Sequence, residues 1–310
     1  MFPIVNVPSE AAELSEQMGT KFKFWYHDEH LGRTLFKEGR PGTGENWAEK
    51  LASELAELLG IPHAHYELAQ WRNRQGVISP SLIPEGSRLI HGNELVGGKV
   101  TVALGEGQIR HYVLRNHIAS RVFQLLKKYS HAIDTPQAYV PIDGVHSALG
   151  VFIGYLLFDA WIANQDRHEE NWGIVRGPDG LQLHLSASYD HGSSLGRNET
   201  DERRKKILTT KDDGFSMEKY VSRARSAFYP NATVDAKVKT FFTLELFQLA
   251  CQMDLDAGRA WQAKLAGISN ASIQNVIAQI PTALMSDIAR EFTEKLLKTN
   301  MNRLASLDIQ

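Results

Sequence analysis

Asp166 and Asn171 stand five residues apart in a polar loop, Asn164 to Asn171. The loop lies between two apolar stretches: Leu156, Leu157, Phe158, Ala160, Trp161, Ile162 and Ala163 before it, and Trp172, Ile174 and Val175 after it. A polar cluster held by core on both sides is a common seat of chemistry. Asp190 follows beyond a short turn, in Tyr189-Asp190-His191-Gly192, and Lys37 and Gly19-Thr20-Lys21 lie far upstream. Phosphoryl transfer uses this set. It needs backbone N–H groups and a lysine for the nucleotide phosphates, oxygen donors for a hard cation, and a carboxylate facing the incoming hydroxyl. On one loop, Asp166 can face the acceptor while the Asn171 amide oxygen faces magnesium, with Asp190 as second metal ligand. Each residue alone reads more simply: a loop Asp is usually a turn residue, and Lys37 would be a solvated strand end. No G-x-G-x-x-G is present. The combination and its chain order carry the argument.

These residues need elements to position them. Residues 1–17 read as a loose lead-in with a short acidic helix, Ser9 to Gln17. Phe22, Phe24 and Tyr26 alternate with Lys23 and Trp25, as in a strand, and Thr34–Lys37 forms its hairpin partner across His30-Leu31-Gly32. A glycine-rich connector, Gly39 to Gly44, leads to a helix capped by Asn46, with Glu49 three residues on and Leu51, Leu55, Leu58 and Leu59 on its apolar face. Gly60 and Pro62 end it. Ala64–Ala69 and Gly76–Ser79 are further strands, and Pro80 and Pro84 mark a linker. Helices are predicted over 109–128, 146–163, 235–253, 256–266, 270–279 and 283–305. A hairpin joins Ile174-Val175 to Leu181–Leu185. Residues 197–226 read as a charged, mobile segment holding Arg203, Arg204, Lys205 and Lys206. The pattern gives an α+β chain, with a small β-rich lobe over 1–84 and a large helical lobe over 85–310.

Composition narrows the field. The chain has 310 residues, 43% of them hydrophobic and 23% charged, as in a soluble globular protein. A net charge of −2 offers no general attraction to nucleic acid or anionic membrane. The single cysteine, Cys251, reads as a small core residue and excludes an internal disulfide or multi-cysteine zinc site. No signal peptide and no 18-residue apolar span are visible, so a cytoplasmic setting is expected.

Asn164 to Gly173 reads N-x-D-R-H-x-x-N-W-G, and Ser188 to Gly196 reads S-Y-D-H-G-S-S-L-G. With Leu35-Phe36-Lys37 and the Trp47, Glu49 helix start, these stretches make the chain resemble the HipA-like serine/threonine kinases of bacterial toxin–antitoxin systems, from about residue 18 to the end. The resemblance is to the short, HipT-like form, which lacks an N-terminal subdomain. It implies a two-lobed, protein-kinase-like fold that uses ATP and Mg²⁺. Asp166 would be the catalytic base, and Asn171 and Asp190 would hold magnesium. Lys37 would contact the phosphates with His168 beside them, and Glu49 joins the expected nucleotide site. Gly19, Thr20, Lys21 and Lys23 would lie in the phosphate-covering segment. Val77, Ile78, Ser79 and Leu82 would line the adenine hinge. A growth-inhibiting toxin is implied, with an antitoxin partner and a protein substrate such as an aminoacyl-tRNA synthetase or other translation component. Direct binding of nucleic acid is not expected. Glu170 stands where relatives carry a lysine, leaving Arg167 or Lys21 to supply that cation. Thr20 and Ser15 are the candidates for autophosphorylation.

Two rival readings remain: a kinase of lipid or small-molecule alcohols, and a nucleotide-binding pseudokinase or scaffold, which Glu170 favours. His27, His30, His63 and His65 have spacings that specify no zinc site. The Arg203–Lys206 run reads equally as substrate docking or as a solvated face.

Overall fold

In the computed structural model the alternating apolar residues of the N-terminal region fill one side of a curled six-stranded sheet. The structure describes residues 1–11, 14, 15, 22–97, 101, 102, 112, 113, 116–233, 235 and 237–310. Gly19, Thr20 and Lys21 lie outside the described residues. The sheet comprises β1 (Val5–Val7), β2 (Leu14–Ser15), β3 (Lys23–Asp28) and β4 (Gly32–Glu38), then, after helix α1 (Glu45–Leu59), β5 (Glu67–Trp71) and β6 (Arg74–Pro80). Its order is β1-β5-β6-β4-β3-β2. Val7, Phe24, Tyr26, Phe36, Ala69, Trp71 and Ile78 form its apolar cluster. Register places Lys37 between Lys23 on β3 and Val77 on β6.

Two N-terminal expectations are corrected. The lead-in is a strand, β1, running parallel to β5 with Val7 opposite Trp71. In place of the acidic helix, Leu14 and Ser15 pair with Trp25 and Phe24, while the rest of that stretch is only partly described. Open backbone groups along β3 and β5 overrode local helix propensity. The cap of α1 also differs. Gly44 is the N-cap, and Asn46 sits in the first turn, accepting the Trp47 N–H at 2.8 Å.

Beyond Pro80 the chain continues through β7 (Arg88–His91), α2 (Gly92–Val96), a small pair β8 (Thr101–Val102) and β9 (Tyr112–Val113), α3 (Ala119–Lys128) and β10 (Ile133–Asp134). Part of the helix predicted over 109–128, residues 109–111, 114 and 115, lies outside the described residues; among those described, Tyr112–Val113 is strand and the helix begins at Ala119, because Ile118 is extended and its N–H and the next pair with Asn116 and Tyr229 carbonyls. Helix α4 (Ala148–Ile162) is buried at every position, as an all-round apolar helix must be. Strands β11 (Gly173–Arg176) and β12 (Leu183–Leu185) form the expected hairpin and join β7 and β10 in a second sheet.

Residues 197–226 are more ordered than their charge suggests. They hold α5 (Asp201–Thr209), a 3-10 turn (Asp213–Phe215) and α6 (Met217–Val221), with Thr200 and Ser216 as side-chain N-caps. Arg204, from the basic run, is buried against Asp201 and the Gly196 carbonyl. Helices α7 (Thr243–Cys251), α8 (Leu255–Ala266), α9 (Asn270–Ala278) and α10 (Asp287–Ala305) complete the chain. Helix α7 starts later than predicted because Phe241 exchanges backbone hydrogen bonds with Ser226 and Phe228. One apolar core runs from Trp47 and Leu51 of α1 through α4 to Leu296 and Leu304 of α10. Thus α1, although it follows the sheet strands in sequence, is rooted in the same core as the helical region.

The core also contains a titrating histidine. His117 is buried; its Nε2 accepts the Trp172 indole N–H at 3.0 Å, and Nδ1–H donates to the Ala227 carbonyl at 3.2 Å. Burial lowers its pKa from 6.5 to about 4. The unfolded chain therefore takes up this proton first, so stability is full above pH 6.5 and declines as pH falls toward 4. The full loss is about 3 kcal/mol, more than half of it by pH 5. Urea midpoints at pH 7 and pH 5 read the slope, which should flatten in His117→Gln; an unchanged slope would refute the assignment.

Candidate active site

Helix α4 ends at Ala163, whose left-handed φ of 54° turns the chain into the polar loop. Asp159, the one charge in that helix, anchors the loop. Asn164 donates to it through its backbone N–H (to the carbonyl) and its side chain (to Oδ1), both at 2.8 Å. Arg167 is 2% exposed and binds both Asp159 oxygens, with Nη2 at 2.8 Å from Oδ1. The same guanidinium donates to the Asn171 carbonyl at 3.3 Å and to Ser188 Oγ at 2.9 Å. Burial pushes the Asp159 carboxyl up, and Arg167 and Asn164 act against that shift. Arg167 is thus the internal brace of the loop. It cannot supply the missing cation at position 170, since its guanidinium is committed to Asp159.

Asp166 stands at the rim with its side chain 44% exposed. Its backbone N–H donates to Asn164 Oδ1 at 3.2 Å, and Ser193 Oγ donates to its Oδ2 at 3.1 Å. His168 Nε2 lies 3.9 Å from Oδ1. Asn171 spends its amide nitrogen on the Asp166 carbonyl at 2.6 Å, which leaves Oδ1 as its donor toward a cation. Arg197 Nη2 donates to Ser193 Oγ at 3.1 Å, and its Nη1 lies 3.6 Å from Glu45 Oε2 at the start of α1. A chain of polar groups thus joins the first turn of α1 to the carboxylate at the rim.

The second half of the site comes from the sheet. Lys37 Nζ lies 2.6 Å from Asp190 Oδ1 and 3.3 Å from Glu49 Oε2. Burial opposes its charge, but Asp190 and then Glu49 outweigh that and hold its pKa well above the ordinary lysine range. Asp190 has φ 56°, a conformation costly for a non-glycine residue and frequent at functional sites. Its N–H donates to Tyr66 Oη at 3.3 Å, and the next N–H, of His191, donates to Glu49 Oε1 at 2.8 Å. Glu49 therefore binds Lys37 and the Asp190 segment, where the sequence suggested a helix cap. The Asp190 carboxylate and the Asn171 amide oxygen are a donor set that would suit magnesium. Beside Lys37, Val77 packs with Ala64, Tyr66, Leu82 and Tyr189, while Ile78 turns to the opposite face of the sheet. Ser79 is buried on β6 with Val77, and Lys23 stands opposite Lys37.

Gly192 tests this geometry. A Cβ there would sit 2.4 Å from Glu49 Oε2 and 3.1 Å from Glu45 Cγ. A carboxylate end can swing aside at small cost in stability, but not while also holding Lys37. Gly192→Ala is expected to lower activity about tenfold or more while shifting stability by about 1 kcal/mol. Equal kcat in the two proteins would contradict it.

Sequence reasoning gave no role to Asp159, Ser188, Ser193, Arg197, Glu45 or Tyr66. Asp159 left a signal as the lone charge within an otherwise apolar helix, and Ser188 and Ser193 lie in the Ser188–Gly196 motif; Arg197, Glu45 and Tyr66 left none.

No family model matches the chain, and no curated protein does either. Solved structures do. The Helicobacter pylori proinflammatory kinase CtkA superposes with a TM-score of 0.67 at 18% identity, over 97% of this chain and 98% of that one. HipA of Shewanella oneidensis MR-1, from a toxin–antitoxin complex with HipB and operator DNA, gives 0.53 at 11% identity, over 98% of this chain and 70% of that one. This chain has the HipA-like kinase fold. Within that fold Lys37 meets Glu49 and Asp190, Asn171 meets Asp166 on the polar loop, and Ser193, three residues after Asp190, bonds the Asp166 carboxylate; a cleft of about 250 Å³ is lined by Gln165, Ser193, Arg197, Arg203, Tyr220 and Arg223 among others. Among the described residues no helix is long and apolar enough to cross a membrane.

Proposed function

We propose that this chain is an ATP- and magnesium-dependent serine/threonine protein kinase of the HipA-like kind, with its nucleotide held between residues 1–84 and 85–310. The observation that carries the reading is Lys37 held by both Glu49 and Asp190, in the segment whose Ser193 bonds the Asp166 carboxylate. Lys37 would orient the nucleotide phosphates, with Gly19, Thr20, Lys21 and Lys23 covering them, His168 beside them, and Val77, Ser79 and Leu82 along the adenine; Ile78, whose side chain lies on the opposite face of the sheet, would offer only its backbone. Asn171 Oδ1 and the Asp190 carboxylate would hold magnesium, which supplies charge neutralisation on the phosphates. The acceptor hydroxyl enters through the cleft beside Asp166. Its oxygen forms the new bond to the γ-phosphorus, the bond from that phosphorus to the β–γ bridging oxygen breaks, ADP leaves, and Asp166 takes the proton. Asp166 is suited to this because it is exposed, fixed at its backbone, and oriented through Ser193.

The physiological roles implied are those of a cytoplasmic growth-inhibiting toxin with an antitoxin partner, acting on a translation component such as an aminoacyl-tRNA synthetase and on itself. The HipA structure with HipB supports the antitoxin partner. Labelled ATP tests the reaction. Label is expected on protein serine or threonine, against none on a panel of small alcohols and lipids; the reverse pattern would establish the small-molecule reading. Growth arrest on expressing the wild type, absent with Asp190→Asn, is expected for a toxin. The pseudokinase reading rests on Glu170, whose side chain is exposed and whose backbone braces Tyr189 and His168. Nucleotide-dependent thermal stabilisation without any transfer would favour it.

A further inference from the structure

Three residues with no part in the proposed kinase site come together where α1 ends. Glu57 lies in the last turn of α1, and His63 and His65 lie in the segment that leads to β5. One ligand atom from each can be chosen so that all three lie within 4.8 Å of one another. In an extended segment residues i and i+2 point to the same side, which places both imidazoles together, with ring centroids 4.8 Å apart. From the sequence alone the two histidines specify no site; the helix brings the third donor.

We propose that Glu57, His63 and His65 bind a transition-metal dication, with zinc the best fit. His63 is buried, and its Nδ1 lies 2.7 Å from the Ile61 carbonyl. The Nδ1–H donates there, so the Nε2 lone pair is the one available to a metal. This is the arrangement by which metal-bound histidines are oriented. Glu57 and His65 are exposed and can move. A tetrahedral zinc site asks for ligand atoms about 3.3 Å apart, so from separations of up to 4.8 Å these two side chains need to close by up to about 1.5 Å around a fixed His63. Two imidazoles and a carboxylate leave the fourth position to water. Nitrogen donors favour zinc over magnesium, whereas Asn171 and Asp190 offer only oxygen. The cluster is also tied to the catalytic segment. Ala64 N–H donates to the Ser188 carbonyl and Ser188 N–H to the Pro62 carbonyl, both at 2.8 Å, two residues before Asp190. A metal here would pin the end of α1 to that strand-like contact and raise thermal stability.

Zinc ions, titrated into the EDTA-stripped full-length chain against a chromophoric chelator in millimolar magnesium, test the proposal. The expected result is one zinc per chain at micromolar affinity or tighter, with a raised Tm. His65→Ala and Glu57→Gln, both at exposed positions, should each weaken binding at least about tenfold with unchanged circular dichroism, and Asp190→Asn should leave it intact. Three results would overturn the site: no binding tighter than about 100 µM, undiminished binding in both exposed-position variants, or loss of binding in Asp190→Asn.

Discussion

Asp166→Asn is expected to lower phosphoryl transfer by roughly 10²–10⁴-fold, the range for loss of a positioned general base. The fold should survive. Asn keeps an oxygen to accept the Ser193 hydroxyl, and the backbone contact from Asp166 N–H to Asn164 is unaffected. The side chain is also 44% exposed, so the lost charge leaves no buried partner unpaired. The effect should fall on kcat, with little change in nucleotide-dependent thermal stabilisation, because Lys37, Asn171 and Asp190 are untouched. Single-turnover transfer from labelled ATP, beside a Tm measurement with and without nucleotide, reads both halves. Undiminished transfer would remove Asp166 from its assigned role.

The largest effect on stability is expected from Arg167→Leu. The substitution strips the charged partner from a buried Asp159 carboxylate, leaving it only Asn164, and removes the donors to Asn171 and Ser188. Breaking one half of a buried pair costs about 3–5 kcal/mol. Activity should fall with it, since the loop that presents Asp166 and Asn171 loses its brace. Replacing both charges, Asp159→Leu with Arg167→Leu, removes the orphaned carboxylate and should return much of the stability. It should not return activity, because Asn164 then loses the anchor for the Asp166 backbone. Urea denaturation of the single and double variants gives the comparison. A single-variant cost below about 1 kcal/mol would show that the pair does not hold the loop.

These two predictions separate what can be read from a line of residues and what cannot. The loop around Asp166 was legible because a polar run between two apolar runs is a local pattern. The order Lys37, Glu49, Asp166, Asn171, Asp190 was legible too, as were the buried α4 and the β3–β4 hairpin, since hydrophobic period is written along the chain. Strand β1 was not, because a three-residue strand has no pattern of its own and forms only against β5. The helices within 197–226 were hidden by charge, which says nothing about capping by Thr200 and Ser216 or about Arg204 being drawn into the interior.

The roles of Glu49 and Arg167 show the division most clearly. By sequence their partners were open: Glu49 could cap its helix or join the nucleotide site, and Arg167 could stand in for a cation. In the fold Glu49 reaches Lys37 twelve residues away and the His191 N–H, 142 residues away. Arg167 turns inward to Asp159. The same holds for Glu57, His63 and His65, which converge only because α1 ends beside the segment entering β5. The sequence by itself determined the kinds of chemistry present and the elements that carry them, since both depend on residue type and short-range periodicity. Only the tertiary structure decided which charges meet, because burial makes each ionised group need a partner and leaves the choice of partner to the packing of distant elements.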